Sequence, residues 1–249
     1  MNDALLQTRG LSKHFGGLQV TRQLSFSLKA GARVGLIGPN GAGKTTLVNL
    51  VTGVLEPSAG SVWLNGEDVT RLSQPERVRR GLVRTFQITQ LAPRIAVRRQ
   101  VEMAIHQRRG SVSSWFRPAD AFAEVRDEAE GILQALRLDG LADSLPVELA
   151  YGEQRLIEIA LALALQPRVL LLDEPMAGVP AAERTIILDA LSTLPPDLAI
   201  LMIEHDMGLV FSFASRIIVL SEGSLLADGT PEEIRNHPAV RSVYLGTAA

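Results

Sequence analysis

A chain of 249 residues, 46% of them hydrophobic, can build a sizeable core, as one large domain or a domain with a subdomain. A net charge of −2 predicts no nucleic-acid partner, and the lack of cysteine excludes disulfides and thiolate metal sites. The longest unbroken apolar run, Ile159 to Leu165, is seven residues, and the start Met1-Asn-Asp-Ala-Leu5 lacks a signal-peptide pattern, so a membrane role is expected only through a partner.

Short alternating runs fill residues 4 to 31: Leu5 to Arg9, Leu18 to Val20, Leu24 to Leu28. They predict strands of an antiparallel sheet. Phe15 falls in the turn from Lys13 to Gly17, where an aromatic suits base stacking and sheet-edge packing equally well. Arg33 to Ile37 reads as a buried strand, and Thr45 to Thr52 as the start of a helix. Between them lie Gly38, Pro39, Asn40, Gly41, Ala42, Gly43, Lys44, Thr45 and Thr46, which fit the phosphate-loop pattern GxxxxGK[ST]. Glycines let consecutive N–H groups curl inward toward phosphate oxygens, and the helix N-terminus adds partial positive charge. Lys44 would reach the β/γ-phosphates, and the Thr45 hydroxyl would ligate Mg²⁺.

Beyond the loop, Ser61 to Val69 reads as a hairpin around Asn65-Gly66. A helix over 74–80 is capped by Ser73, with Pro75 in its first turn. Leu82 to Phe86 reads as a strand with Gln87 at its end. Residues 88 to about 160 are mainly helical in spacing, as where Phe122, Val125, Ala129, Ile132, Leu133 and Leu136 share one face. They are expected to form a helical subdomain within a single domain spanning 1–249. Between Arg77 and Arg109 stand nine arginines and one acid, Glu102. A solvated face is the plain reading of that run, and a surface for anionic lipid or an acidic partner the sharper one.

The last third has βαβ rhythm. Arg168 to Leu172 is an apolar run suited to a central parallel strand, and it ends in Asp173-Glu174. A helix over 181–193, a strand from Ala199 to Ile203, a helix over 206–213 and a strand from Arg216 to Leu220 follow. Gly223 to Gly229 reads as an edge hairpin, and Pro231–Asn236 and Val240–Leu245 as helices. The fold class is therefore α/β: a P-loop NTPase core with a mostly parallel sheet, an N-terminal antiparallel β subdomain and an inserted helical subdomain.

Parallel sheets form sites at the carboxyl ends of their strands. Four such ends carry distinctive groups, and each has a task in phosphate hydrolysis. The phosphate loop follows Ile37. Asp173 would be the metal-side carboxylate beside Thr45. Glu174 is placed to polarise a water for attack. Gln87 would meet Mg²⁺ or that water, and His205 would bond the γ-phosphate and the water.

Taken together, these residues resemble the ATPase subunit of an ABC transporter over essentially the whole chain. Gly38–Thr46 looks like Walker A, Val169–Glu174 like Walker B with its catalytic glutamate, Gln87 like the Q-loop, and His205 like the switch histidine. Leu149, Ala150, Tyr151, Gly152 and Glu153 stand where the family has its LSGGQ signature, and Phe15 where it has an adenine-stacking aromatic. The resemblance implies ATP and Mg²⁺ as cofactors. It implies two ATPase subunits, identical or different, closing head to tail, so that Ala150, Tyr151, Gly152 and Glu153 face the partner chain's ATP. It also implies transmembrane permease subunits, indirectly a solute-binding protein, and a peripheral position on the cytoplasmic face of the inner membrane. Arg84 to Gln87, Tyr151 to Arg155, Ile203 to Met207 and Tyr244 to Gly246 look more narrowly like importers of branched-chain amino acids and related amides. Against the family pattern, Ala150 replaces the signature serine, Pro180 the Asp or Asn of the D-loop, and Arg99 a frequent Glu. A soluble ABC-type ATPase outside transport and a weakly catalytic, nucleotide-gated interaction module are the competing readings.

Overall fold

The structure is a computed structural model that describes residues 4–85, 91–110 and 119–245. The chain opens with two long strands, β1 (Ala4–Phe15) and β2 (Leu18–Lys29), paired antiparallel. The sequence suggested several shorter runs. The difference arises because the register slips between Thr8 and Leu11 and again before Lys13, with Gly10 at φ +58°. These bulges break the polar–apolar alternation without ending the strand. Phe15, expected in the turn, is the last residue of β1.

β3 (Arg33–Ile37) leads through the glycine loop into α1 (Lys44–Thr52). β4 (Ala59–Leu64) and β5 (Glu67–Asp68) form the expected hairpin around Asn65 and Gly66, both at positive φ. α2 (Gln74–Arg79) starts at Ser73, whose N–H donates to Glu76 at 2.9 Å, and β6 covers Leu82–Arg84. Helices α3 (Val97–Arg108), α4 (Ala119–Ala135) and α5 (Tyr151–Ala164) precede β7 (Val169–Asp173). Then come α6 (Ala181–Ser192), β8 (Ala199–Ile203), α7 (Met207–Phe213), β9 (Arg216–Ser221), β10 (Ser224–Gly229), α8 (Pro231–Asn236) and α9 (Pro238–Leu245).

The described chain divides into two units. One holds residues 4–84, 168–174 and 196–245. It contains a four-stranded sheet in the order β2-β1-β4-β5 and a six-stranded sheet in the order β10-β9-β3-β8-β7-β6. Strands β9, β3, β8, β7 and β6 run parallel, and β10 closes the edge antiparallel. Every residue of β7 and β8 is buried, which fits their unbroken apolar sequences. Alternate residues divide between the two faces of the sheet. Val34, Leu36, Ile218 and Leu220 join the core that includes α1. Ile37, Ile217 and Val219 join the core containing Val210 of α7, Ile234 of α8 and Val240 of α9. Within the first core Arg77 is fully buried as a cation. Its guanidinium donates to the carbonyls of Leu50 and Val51 at the end of α1, at 2.8 and 2.6 Å, and to Thr70 and Leu72. That places positive charge where the last carbonyls of a helix lack partners.

The other unit holds residues 85, 91–110, 119–167 and 175–195. Among the described residues it is helical: α3 packs on α4 and α5, and α5 on α4 and α6, and Val101, Ile105, Val125, Ala129, Leu133 and Leu136 are buried. Glu128 of α4 receives Arg108 at 2.7 Å and Arg109 at 2.8 Å from α3.

Candidate nucleotide-binding site

The strand order sets the site. β3, β8, β7 and β6 are consecutive neighbours and run parallel, so their carboxyl ends share one edge of the sheet. The glycine loop leaves β3, Glu204-His205 leaves β8, and Asp173-Glu174 leaves β7. Gln87, read as the group after β6, lies outside the described residues.

The loop is built by backbone. Gly41 and Gly43 take φ of +81° and +97°, angles that cost an L side chain strain. A Cβ on Gly43 would press on the Val20 carbonyl, whereas one on Gly41 would enter open space. The loop thus packs against β2 on one side and is open on the other. Ala42 N–H donates to the Pro39 carbonyl at 3.1 Å, and Gly223 N–H to the Ala42 carbonyl at 3.1 Å. Asn40 and Thr45 are exposed, and Thr46 is half-buried. Lys44 folds back over the loop. Its ammonium donates to the carbonyls of Gly38 at 2.6 Å and Pro39 at 3.2 Å. Burial lowers its pKa from the usual lysine value, and the charge of Glu174 partly opposes that shift. The hydroxyl of Tyr244, on α9, is buried without a full hydrogen bond. Burial pushes its pKa up to about 12, with the Gly38 backbone as an opposing influence.

Asp173 is buried at the end of β7 and ion-paired with Arg84 at the end of β6. Arg84 also donates to Asn49 of α1 at 2.8 Å. Glu174 takes φ +47°, and its N–H donates to the Ile203 carbonyl at 2.9 Å. This left-handed step follows the last residue of β7, and such strained positions cluster at functional sites. His205 is exposed. Its N–H donates to the buried carboxylate of Glu204 at 3.3 Å, and its Nδ1 lies 3.7 Å from the same oxygen. Phe15 is half-exposed, with the Lys13 ammonium 5.2 Å from its ring centre.

In the helical unit, Ala150 is the N-cap of α5. Its N–H donates to Glu153 at 2.8 Å, closing half a capping box that alanine cannot complete. The sequence suggested free N–H groups at this helix start. Gly152 N–H is instead taken by Glu183 of α6, at 2.9 Å. Tyr151 is partly exposed, and its hydroxyl accepts from the buried Arg155 at 2.9 Å. Pro180 is the N-cap of α6, and its carbonyl accepts from Glu183 N–H at 2.9 Å.

Sequence reasoning missed Arg84, Asn49, Glu204 and Glu183. For Glu204 a signal existed, an acid directly after five apolar residues at a strand end. Arg84 stood in the importer-like run Arg84 to Gln87, but its partners are distant in the chain, and nothing local marks Asn49 or Glu183. Part of the arginine run is exposed, with Arg79, Arg80, Arg94 and Arg99 on the surface as a solvated face requires, and several of its members find partners that the sequence did not show. Arg77 is buried, Arg84 pairs with Asp173, Arg80 with Glu67, Arg98 with Asp143, Arg99 with Glu102, and Arg108 and Arg109 with Glu128.

Residues 21–177 match the family of ABC transporters. The chain belongs to the ABC transporter family. As a member it is an ATP-binding transport ATPase. Residues 224–249 separately match the branched-chain amino acid ATP-binding cassette transporters. The high-affinity branched-chain amino acid transport ATP-binding protein LivG of Salmonella typhimurium is 39% identical, with all of both chains covered. The lipopolysaccharide export system ATP-binding protein LptB of Escherichia coli is 35% identical over 98% of each. The ADP conformation of MJ1267, an ATP-binding cassette of an ABC transporter, superposes with a TM-score of 0.84 at 29% identity, over 98% of this chain and 99% of that one.

The residues of this ABC cassette fit a nucleotide and a hard cation. The loop has its open side at Gly41, and the Lys44 ammonium is satisfied by carbonyls that a phosphate would replace. Thr45 and Asp173 offer a hydroxyl and a carboxylate, oxygen donors of the kind Mg²⁺ takes. Among the described residues no group of three or more His, Asp or Glu side chains could hold a metal. No helix among them is long and apolar enough to cross a membrane.

Proposed function

We propose that this chain is the ATP-hydrolysing subunit that powers uptake of branched-chain amino acids, or of related amides, through partner membrane subunits. The observation that carries the solute class is the match of residues 224–249, because the rest of the cassette resembles importing and exporting systems alike. Bound ATP with Mg²⁺ supplies a γ-phosphoryl group for transfer to water. The loop from Gly38 to Thr46 wraps the phosphates with backbone N–H groups, and Lys44 exchanges its two carbonyl partners for phosphate oxygens. Thr45 and Asp173 would hold the ion when it is bound. Glu174, directly after β7 and electrostatically linked to Lys44, takes the proton of the attacking water. His205, oriented by its backbone bond to Glu204, bonds the γ-phosphate and that water. Gln87 completes the metal or water contacts, and Phe15 stacks on the adenine.

Half of the site comes from a second ATPase subunit, whose residues equivalent to Ala150, Tyr151, Gly152 and Glu153 close over the ATP. With Ala150 the serine hydroxyl is absent, so recognition rests on backbone N–H groups and the dipole of α5. A heterodimer with one weaker site accounts for Ala150 and Pro180 together. The subunit sits on the cytoplasmic face of the membrane, held there by permease subunits, and a solute-binding protein delivers the cargo on the other side.

The deciding experiment deletes the chain from its host and follows uptake of radiolabelled leucine, isoleucine, valine and urea. Uptake of at least one solute is expected to disappear, to return with the wild-type chain and not with Lys44→Ala. Unchanged uptake of all four would overturn the solute class.

A further inference from the structure

We propose that Arg84 is a positioning residue that sets the metal-side carboxylate Asp173 against the Thr45 hydroxyl. The proposal rests on reading Thr45 and Asp173 as the ion's protein ligands. These two groups come from different elements, α1 and β7. Arg84 bridges them. One guanidinium nitrogen holds Oδ2 of Asp173, and another donates to Oδ1 of Asn49 at 2.8 Å. Asn49 lies four residues after Thr45 on α1, so both share one face of the helix. The line from Thr45 through Asn49 and Arg84 to Asp173 is therefore a brace across the metal end of the site.

The chemistry suits the position. Arg84 and Asp173 side chains are 15% and 7% exposed, and a carboxylate so buried needs a cation whenever no metal is present. The planar fork of arginine reaches two acceptors in fixed geometry, which a lysine cannot do. Because the pair engages Oδ2, Oδ1 of the same carboxylate stays outside it, in an orientation already set. Arg84 thus compensates the charge and fixes the rotamer, and it need not touch nucleotide.

The test is an equilibrium titration of a fluorescent, non-hydrolysable ATP analogue across Mg²⁺ concentration, and again in EDTA. In Arg84→Met and Asn49→Ala the Mg²⁺ needed for half-maximal enhancement of binding should rise about tenfold, the lower end for groups that orient metal ligands, with EDTA affinity kept within about twofold. Arg84→Lys, which keeps the charge and loses the fork, should resemble Arg84→Met. Binding of Mn²⁺ with the analogue, followed by electron paramagnetic resonance, should weaken in parallel. Three results would each overturn the proposal: Mg²⁺ dependence unchanged in both prongs, an equal loss in EDTA, or full restoration by Arg84→Lys. Should Arg84→Met not fold, Asn49→Ala and Arg84→Lys still decide. A wild-type chain that binds the analogue identically with and without Mg²⁺ would instead take down the reading of Thr45 and Asp173, a separate failure visible before any variant is made.

Discussion

Lys44 holds two backbone carbonyls of its own loop, half-buried, where burial already lowers its pKa. Such a charge gains when phosphate oxygens replace the carbonyls. Lys44→Ala should therefore abolish binding of a fluorescent nucleotide, and retained binding in the titration would refute the cradle. Lys44 was readable because its function depends on nearest neighbours in the chain. The sequence marked Tyr244 only through the importer-like run Tyr244 to Gly246, and folding alone brings α9 to the start of the loop. Its buried hydroxyl lacks a full hydrogen bond, so removing it should cost nothing. Tyr244→Phe is expected to leave stability unchanged or raise it by up to about 1 kcal/mol in urea denaturation. A clear loss would mean the hydroxyl is bonded to Gly38 in solution.

Helix α1 is capped by Gly43 and ends over Arg77, so one terminus faces the glycine loop and the other a buried cation. Arg77→Met keeps volume but leaves the carbonyls of Leu50, Val51, Thr70 and Leu72 without that donor. Unmet buried acceptors should lower stability by at least about 3 kcal/mol, measured by chemical denaturation. In the helical unit, α3 and α4 are joined through Glu128. Its pKa is held below the ordinary 4.5, first by the hydrogen bond from Arg108 and then by the other arginine contacts against the opposing effect of burial. A carboxylate with a depressed folded pKa stabilises above its unfolded pKa and loses that contribution as pH falls through the folded value. The midpoint of thermal unfolding should thus fall below about pH 4.5 by a larger step in wild type than in Glu128→Gln. Equal acid limbs would show that the network contributes nothing. The arginine run holds the same lesson: spacing showed its length, while its partners sit on other elements.

At the scale of the molecule, the proposed hydrolysis takes Glu174 from this chain and a signature from another. Glu174→Gln should accumulate an ATP-bound dimer, seen as a shift in gel filtration with ATP and loss of turnover. A monomer with normal hydrolysis would remove Glu174 from the reaction. The same experiment bears on the signature. Gly152 N–H is engaged with Glu183, so an anion from a second chain must displace or share that contact. This was invisible in the sequence, where a helix start reads as free N–H groups.

The sequence by itself determined the phosphate loop, the type of nearly every described element, and the order of chemical groups at the strand ends. Each depends on local backbone rules: glycine at positive φ, alternation in strands, and helical spacing. Only the tertiary structure decided that β3, β8, β7 and β6 are neighbours, which gathers the strand ends on one edge. It alone joined Arg84 to Asp173 and Asn49, seated Arg77 under α1, and gave several arginines of the run acidic partners, some half-buried and some at the surface. The reason is that a charged side chain takes whichever partner folding brings within reach, and partners far apart in the chain leave no local pattern. The opening stretch shows the converse limit. Its alternation looked broken into short strands because bulges interrupt the period of two while the ladder of backbone hydrogen bonds continues.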